Sequence, residues 1–265
     1  MRVKIMSFVK KYAPKTLNDV VLEQSVKSKL DSYVRGGNQT PLILHGTNGL
    51  GKTSIAELLP SAMEGGIVIH PLNGPTDTFD TVKDVISFFG NKYAFSLSTF
   101  SGGNRDYFVL NEVYFTERVA LKFRDYIEEY EEVVQFIFTT NSYMKIDKGI
   151  RDRCDDIELK PSDPKDWLPR VQQILQAENV TISNSTVMNV ITAQLAIDSS
   201  NRQLLNKIEA LVWQYKTKSK VNSITGISPF SPVAPITVAA PKLRPINTIS
   251  TAAPVVPFTQ SSSKK

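Results

Sequence analysis

The stretch Gly46-Thr47-Asn48-Gly49-Leu50-Gly51-Lys52-Thr53-Ser54 decides the reading of this chain. Its first eight residues fit the pattern G-x-x-x-x-G-K-[ST] at every fixed position. Glycines let backbone N–H groups close around phosphate oxygens that side chains would otherwise obstruct. Lys52 suits the β- and γ-phosphates of a nucleoside triphosphate, and the Thr53 hydroxyl suits Mg²⁺. Thr53 also opens a helical pattern, whose positive N-terminus favours an anion. ATP and Mg²⁺ are the expected ligands, with residues 46–54 as the phosphate cradle. A glycine turn that binds nothing is the bland alternative, and the flanking strand and helix argue against it.

Outward from the loop, Leu42-Ile-Leu-His45 reads as a strand and residues 53–59 as a helix that Pro60 should close. Short apolar runs at 67–71, 107–110, 136–139 and 157–159 read as further buried strands. Between them, Val82, Val85, Ile86 and Phe89 recur at helical spacing within 79–89. Phe123, Tyr126, Ile127 and Tyr130 do the same within 119–130. Such alternation implies an α/β fold, a parallel sheet between helix layers. After Pro161 the pattern changes to three amphipathic helices at 167–175, 185–197 and 202–213 with no strand between them. From about Val221 the chain turns to Pro, Ser, Thr, Ala and Val, with seven prolines and no acidic residue, a composition of disorder. The expected division is a phosphate-loop domain at 1–160, a small all-α lid at 161–216 and a low-complexity tail at 217–265.

A chain with such a loop needs an acidic group at the end of a later buried strand. Tyr107-Phe-Val-Leu-Asn111-Glu112 supplies it. Glu112 is placed to orient or activate an attacking water. Asn111 stands where an aspartate would hold the metal's hydration shell. An amide offers oxygen without charge, so it should hold Mg²⁺ less well and hydrolysis should be slow. That Glu112 merely ends a strand at the surface is the alternative.

Charge bounds the reading further. The chain carries +5, but seven of its 31 basic residues and none of its 26 acidic ones lie from Lys216 onward. The body is therefore near neutral, and the total says little about where charge clusters. One cysteine, Cys154, excludes an intrachain disulfide and a multi-cysteine zinc site. His45 and His70 sit in strand-like runs and read as buried, hydrogen-bonded structural histidines rather than catalytic ones. No apolar run is long enough to cross a bilayer, and the first residues lack the apolar core of a signal peptide. The expected location is cytoplasmic, or nuclear in a eukaryote, and not secreted.

Beyond these motifs the chain resembles the clamp-loader branch of the AAA+ ATPases, being similar to replication factor C small subunits and their phage counterparts. The resemblance starts at Phe8-Val-Lys-Lys-Tyr12-Ala-Pro14-Lys-Thr-Leu-Asn-Asp-Val20-Val21 and implies that Tyr12, Pro14, Val20 and Val21 line the adenine pocket. It continues through Thr140-Asn141-Ser-Tyr-Met-Lys145-Ile146 to Arg153-Cys154. There it implies that Asn141 senses the γ-phosphate and that Arg153 is an arginine finger acting on a neighbouring subunit's ATP. Asp152 precedes Arg153 where the family has serine, so an intrachain Asp–Arg pair is the alternative. Ser199-Ser-Asn-Arg202 resembles the family's glycine-aspartate-x-arginine signature with serine in its first two places, implying that Arg202 touches the γ-phosphate of its own subunit. Lys83 and Arg124 match basic positions of the family and are the candidates for contacts to the DNA backbone, against the alternative of solvated helix faces. Lys216, Lys218 and Lys220 could touch nucleic acid or act as a solubilising linker.

The resemblance covers about residues 8–213, and the family's helical collar has no counterpart in the tail. It implies an oligomeric ATPase with other AAA+ subunits, a sliding clamp and primer-template DNA as partners, and no membrane. A compact version of this kind suits a phage or viral source. A helicase loader, or a nucleotide-binding structural subunit that hydrolyses nothing, are the other two readings.

Overall fold

The computed structural model describes residues 6–36, 38–63, 69–73, 106–113, 115–132 and 134–225. Strands β1 (Leu42–His45), β2 (Ile69–Asn73), β3 (Asp106–Asn111), β4 (Val134–Thr140) and β5 (Asp155–Glu158) form one sheet in the order β2-β3-β4-β1-β5. Every pairing is parallel. Alternation along the strands sets which side chains face which helix layer. Leu42, Leu44, Tyr107, Val109 and Ile137 face one side, under helices α2 (Gln24–Val34) and α3 (Lys52–Met63). Ile43, Phe108, Leu110, Phe136 and Phe138 face the other, under α4 (Glu117–Glu129) and the short α5 (Lys148–Arg151). Burial of each such side chain contributes roughly 1.5–3 kcal/mol. On α4 the expected stripe is in place: Phe123, Tyr126 and Ile127 are buried, and Tyr130 stacks on Tyr126 just past its end.

Two expectations about elements need correction, and one helix lies where none is expected. Pro60 does not close its helix; α3 continues to Met63 with Pro60 inside. An internal proline forfeits one backbone bond and costs about 3 kcal/mol. The buried face of Ile55, Ala56 and Leu59 holds the helix against the sheet and offsets that cost. Helix α2 was not expected, although Val26, Leu30 and Tyr33 bury one of its faces. The last lid helix runs past 213 to Thr225, into the stretch expected to be tail. The helix expected at 79–89 lies outside the described residues.

The lid comprises α6 (Pro164–Ala177), α7 (Asn184–Ile197) and α8 (Asn201–Thr225). Asp163 caps α6, with Pro164 in its first turn, and Ser183 caps α7 by accepting from the Thr186 N–H. The lid core gathers Trp167, Val171, Ile174, Val187, Ile191, Leu204 and Ile208. It also takes in Phe8, from the opening helix α1 (Phe8–Lys11), and Val21. The N-terminal segment is thus packed into the lid.

A buried carboxylate strengthens that junction. Glu178, 9% exposed, accepts from Lys11 Nζ at 2.5 Å, Tyr12 Oη at 2.7 Å and Lys216 Nζ at 2.6 Å. Lys216 is therefore engaged within the fold and is no free member of a basic cluster. Burial raises the Glu178 pKa, but the bonds from Lys11, Lys216 and Tyr12 outweigh it and hold the carboxyl at about 2. A lowered carboxyl pKa contributes stability that is full above the ordinary value of 4.5 and is lost as pH falls toward about 2. Glu178→Gln is expected to cost roughly 1–3 kcal/mol in urea unfolding at neutral pH. The gap between the two proteins should shrink over that acid window.

Candidate functional site

The site forms at the carboxyl ends of β1, β3 and β4, where the phosphate loop, the N-terminal segment and the lid meet. Gly46 has φ +138°, and a Cβ there would lie 2.3 Å from the Leu159 carbonyl oxygen. Gly49 (φ +81°) would meet Ser200 Oγ at 2.1 Å. Both positions combine a left-handed backbone with no room for a side chain, so the loop needs glycine there. Such a backbone cradle at the start of α3 fits a phosphate chain.

Lys52 is 7% exposed and donates to the carbonyls of Gly46 at 2.9 Å and Thr47 at 2.7 Å. Burial lowers its pKa, and the nearby Glu112 charge partly opposes that shift. The ammonium is thus held by the loop's own carbonyls beside the cleft.

The cleft has a volume of about 490 Å³. Of the residues expected at the site, Asn48, Gly49, Gly51, Lys52, Thr53 and Ser54 line it from the loop. Tyr12, Pro14, Val20 and Val21 line it from the N-terminal segment, Glu112 and Asn141 from the strand ends, and Arg202 from the lid. Gly46 and Thr47 contribute through their carbonyls to Lys52, while the Leu50 side chain is buried in the core.

Asn111 is placed differently. It is buried, does not line the cleft, and its Oδ1 accepts from Thr139 Oγ1 at 3.1 Å. Thr139 Oγ1 in turn accepts from the Glu112 N–H at 3.0 Å. Glu112 sits in the left-handed region at φ 53°, a strained conformation for a non-glycine residue. Thr139 therefore holds the turn that presents Glu112 to the cleft. A metal could take the Thr53 hydroxyl, with phosphate and water oxygens supplying the rest. Among the described residues, no group of three His, Cys, Asp or Glu side chains could hold one.

Sequence reasoning missed three contributors. Thr139 follows an apolar run as an ordinary strand residue, with no mark of its role. Arg170 lines the cleft and donates to Asp19 and to the Tyr12 carbonyl, each at 3.2 Å. Asn201 lines it too, bonded to the phosphate loop.

Arg153 lies apart from the cleft. Its Nε donates to Glu128 Oε1 at 2.6 Å and its Nη1 to the Gly149 carbonyl at 2.8 Å. The intrachain partner is thus Glu128 and not Asp152. Arg124 makes a two-pronged pair with Asp147, Nε to Oδ1 at 2.7 Å and Nη2 to Oδ2 at 2.5 Å. Asp147 also caps α5, so Arg124 braces that helix and is not a free surface charge. Lys83 lies outside the described residues.

His45 is hydrogen-bonded as expected but only partly buried: its Nε2 is 3.0 Å from Asp156 Oδ2 and its ring stacks on Tyr143. The side chain of His70 is not described. Burial pushes the Cys154 thiol up to about 12, with the neighbouring Asp155 charge adding to the effect, so it is inert at neutral pH. Among the described residues, no helix is long and apolar enough to cross a membrane.

No protein-family model matches the chain. Individual proteins do. The chain is 28% identical to the probable replication factor C subunit 2 of Dictyostelium discoideum over 78% of its own length and 60% of the relative's. It is 26% identical to replication factor C subunit 5 of Mus musculus over 85% and 66%. For the replication factor C small subunit of Methanoculleus marisnigri the values are 24% over 69% and 57%. The chain thus spans less than two thirds of the length of these relatives. Among solved structures, the Thermotoga maritima RuvB Holliday junction branch migration motor superposes with a TM-score of 0.53 at 17% identity, covering 82% of each chain. Its R170A variant gives 0.56 at 16% identity, covering 81% of this chain and 67% of that one. These likenesses support the α/β phosphate-loop fold of AAA+ proteins. Together with the cleft and its glycine loop, they make the chain similar to replication factor C small subunits, on an α/β phosphate-loop fold of the AAA+ type.

Proposed function

We propose that the chain is a clamp-loader-type ATPase that acts in DNA replication as one subunit of an oligomer. The observation that carries this reading is the convergence on one cleft of the glycine loop, Glu112, Asn141 and the lid's Arg202, with Arg153 on a separate surface. The likeness to replication factor C subunits supports the choice of process.

On this reading, the base of ATP lies against Tyr12, Pro14, Val20 and Val21, and its phosphates lie in the loop between Gly46 and Ser54. Lys52 carries positive charge to the β- and γ-phosphates. Glu112 orients water for in-line attack, Asn141 donates to the γ-phosphate, and Arg202 reaches the same group from the lid. Arg153, which does not line its own cleft, completes the neighbouring subunit's site on this reading. Mg²⁺, when bound at Thr53, would neutralise charge on the β- and γ-oxygens. Nucleotide state then sets the angle between sheet domain and lid, and that angle sets the grip on primer-template DNA and on a sliding clamp.

Asn111 lies behind the cleft with its oxygen on Thr139 and no charge to offer, so it gives a metal's water shell little to hold. Asn111→Asp is expected to lower the Mg²⁺ concentration for half-maximal turnover severalfold and to raise the rate. A magnesium titration of ATP hydrolysis checks this. Absent hydrolysis in both proteins would favour a nucleotide-gated structural subunit, and an unchanged magnesium dependence would remove Asn111 from the metal's shell.

The partner is tested by measuring ATP hydrolysis on primed DNA with and without a sliding clamp. Stimulation by the clamp is expected. Stimulation by a replicative helicase, with no response to the clamp, would assign the chain to helicase loading.

A further inference from the structure

Helix α8 begins against the phosphate loop. The Asn201 N–H donates to the Gly49 carbonyl at 3.0 Å, and Asn201 Nδ2 donates to the Leu50 carbonyl at 3.1 Å. Ser200 packs so closely on Gly49 that no Cβ fits between them. Two consecutive peptide groups of the loop are therefore held by one lid residue, 151 positions away in sequence.

In a trans peptide the C=O and the following N–H point in opposite directions. Holding the Gly49 carbonyl toward Asn201 turns the Leu50 N–H away from it. Holding the Leu50 carbonyl does the same for the Gly51 N–H. An anion-binding loop needs its N–H groups turned together to one side.

We infer that Asn201 is a positioning residue that seats the phosphate loop from the lid, so that movement of the lid changes the loop's readiness for phosphate. This deepens the ATPase reading and rests on it for its purpose, while the contact itself stands on geometry. Arg202, the next residue, reaches the cleft from the same turn of helix. A lid displacement that withdraws Arg202 would therefore also release the loop.

The test compares the full chain with Asn201→Ala and Asn201→Asp. Alanine removes only the side-chain donor. Aspartate places an oxygen against the Leu50 carbonyl, yet its charge suits the first turn of a helix. Hydrogen exchange at loop residues 46–53 is followed without nucleotide, and ATP affinity is measured for the alanine variant. Both variants are expected to exchange about fivefold faster in the loop, the effect of one lost hydrogen bond. Peptides covering α6 and α7 should be unchanged, and the alanine variant should bind ATP about fivefold more weakly. Unchanged loop exchange in both variants would overturn the inference, leaving Asn201 as a helix-start residue. Faster loop exchange in a chain that binds no ATP at all would uphold the contact's role and sink the ATPase reading instead.

Discussion

Lys52→Ala is expected to weaken ATP binding and turnover by roughly 100-fold or more, the scale of losing a charge aimed at a developing phosphate charge. The structure gives the loss two sources. Lys52 is buried, so no solvent-exposed cation can replace it, and its Nζ also ties together the carbonyls of Gly46 and Thr47. On the proposed reading the variant removes a phosphate ligand, and it frees the two loop carbonyls that Lys52 holds. Stability should respond differently. Burial lowers the Lys52 pKa, which means the fold holds this charge at some cost. Losing the charge and losing its two hydrogen bonds therefore oppose each other. The melting temperature should move by only a few degrees or so. Nucleotide titration beside thermal unfolding separates the two effects: binding collapses while the fold persists.

Arg153→Ala is expected to leave ATP affinity unchanged and to lower turnover of the assembled oligomer by about 10³-fold. The residue does not line its own cleft, so its loss takes nothing from binding there. Its pair with Glu128 sits near the surface, with side chains 34% and 61% exposed. Such pairs are worth about 0–1 kcal/mol, so transferring the guanidinium to a neighbour's phosphate costs little. On the proposed reading, the planar, always-charged group would then stabilise charge that builds on the transferred phosphoryl. Mixing gives the sharper result. Lys52→Ala and Arg153→Ala should each be nearly inactive alone, yet in a mixed oligomer of the proposed kind some junctions would pair an intact loop with an intact arginine. Partial recovery of hydrolysis on mixing is expected. No recovery, or equal activity of Arg153→Ala and the unmodified chain, would remove Arg153 from the reaction.

Local signals carried much of the fold. The glycine loop, the apolar strands around it and the stripe on α4 are patterns within a dozen residues, and each appears where its spacing placed it. Glu112 was legible for the same reason, as the acid ending a buried strand. Other contributors were hidden because they depend on contacts between distant segments. Asn201 touches Leu50, Arg170 touches Asp19 and Glu178 gathers Lys11, Tyr12 and Lys216; nothing in the sequence beside any of them announces the partner. Pro60 misled for the converse reason. Locally it is a stop signal, but the buried face of α3 outweighs the bond it forfeits. Lys216 and Arg124 looked like free positive charge, and each is paired with a carboxylate brought to it by folding.

If loop, strand ends and lid form one working ATPase cleft, as proposed, turnover depends on Lys52 and, for a replication ATPase, responds to primed DNA. Steady-state ATP hydrolysis by the purified protein, with and without primer-template DNA and beside Lys52→Ala, tests it most directly. Turnover that rises with primed DNA and vanishes in the Lys52 variant is the predicted result. Tight ATP binding with no turnover under any condition would contradict it.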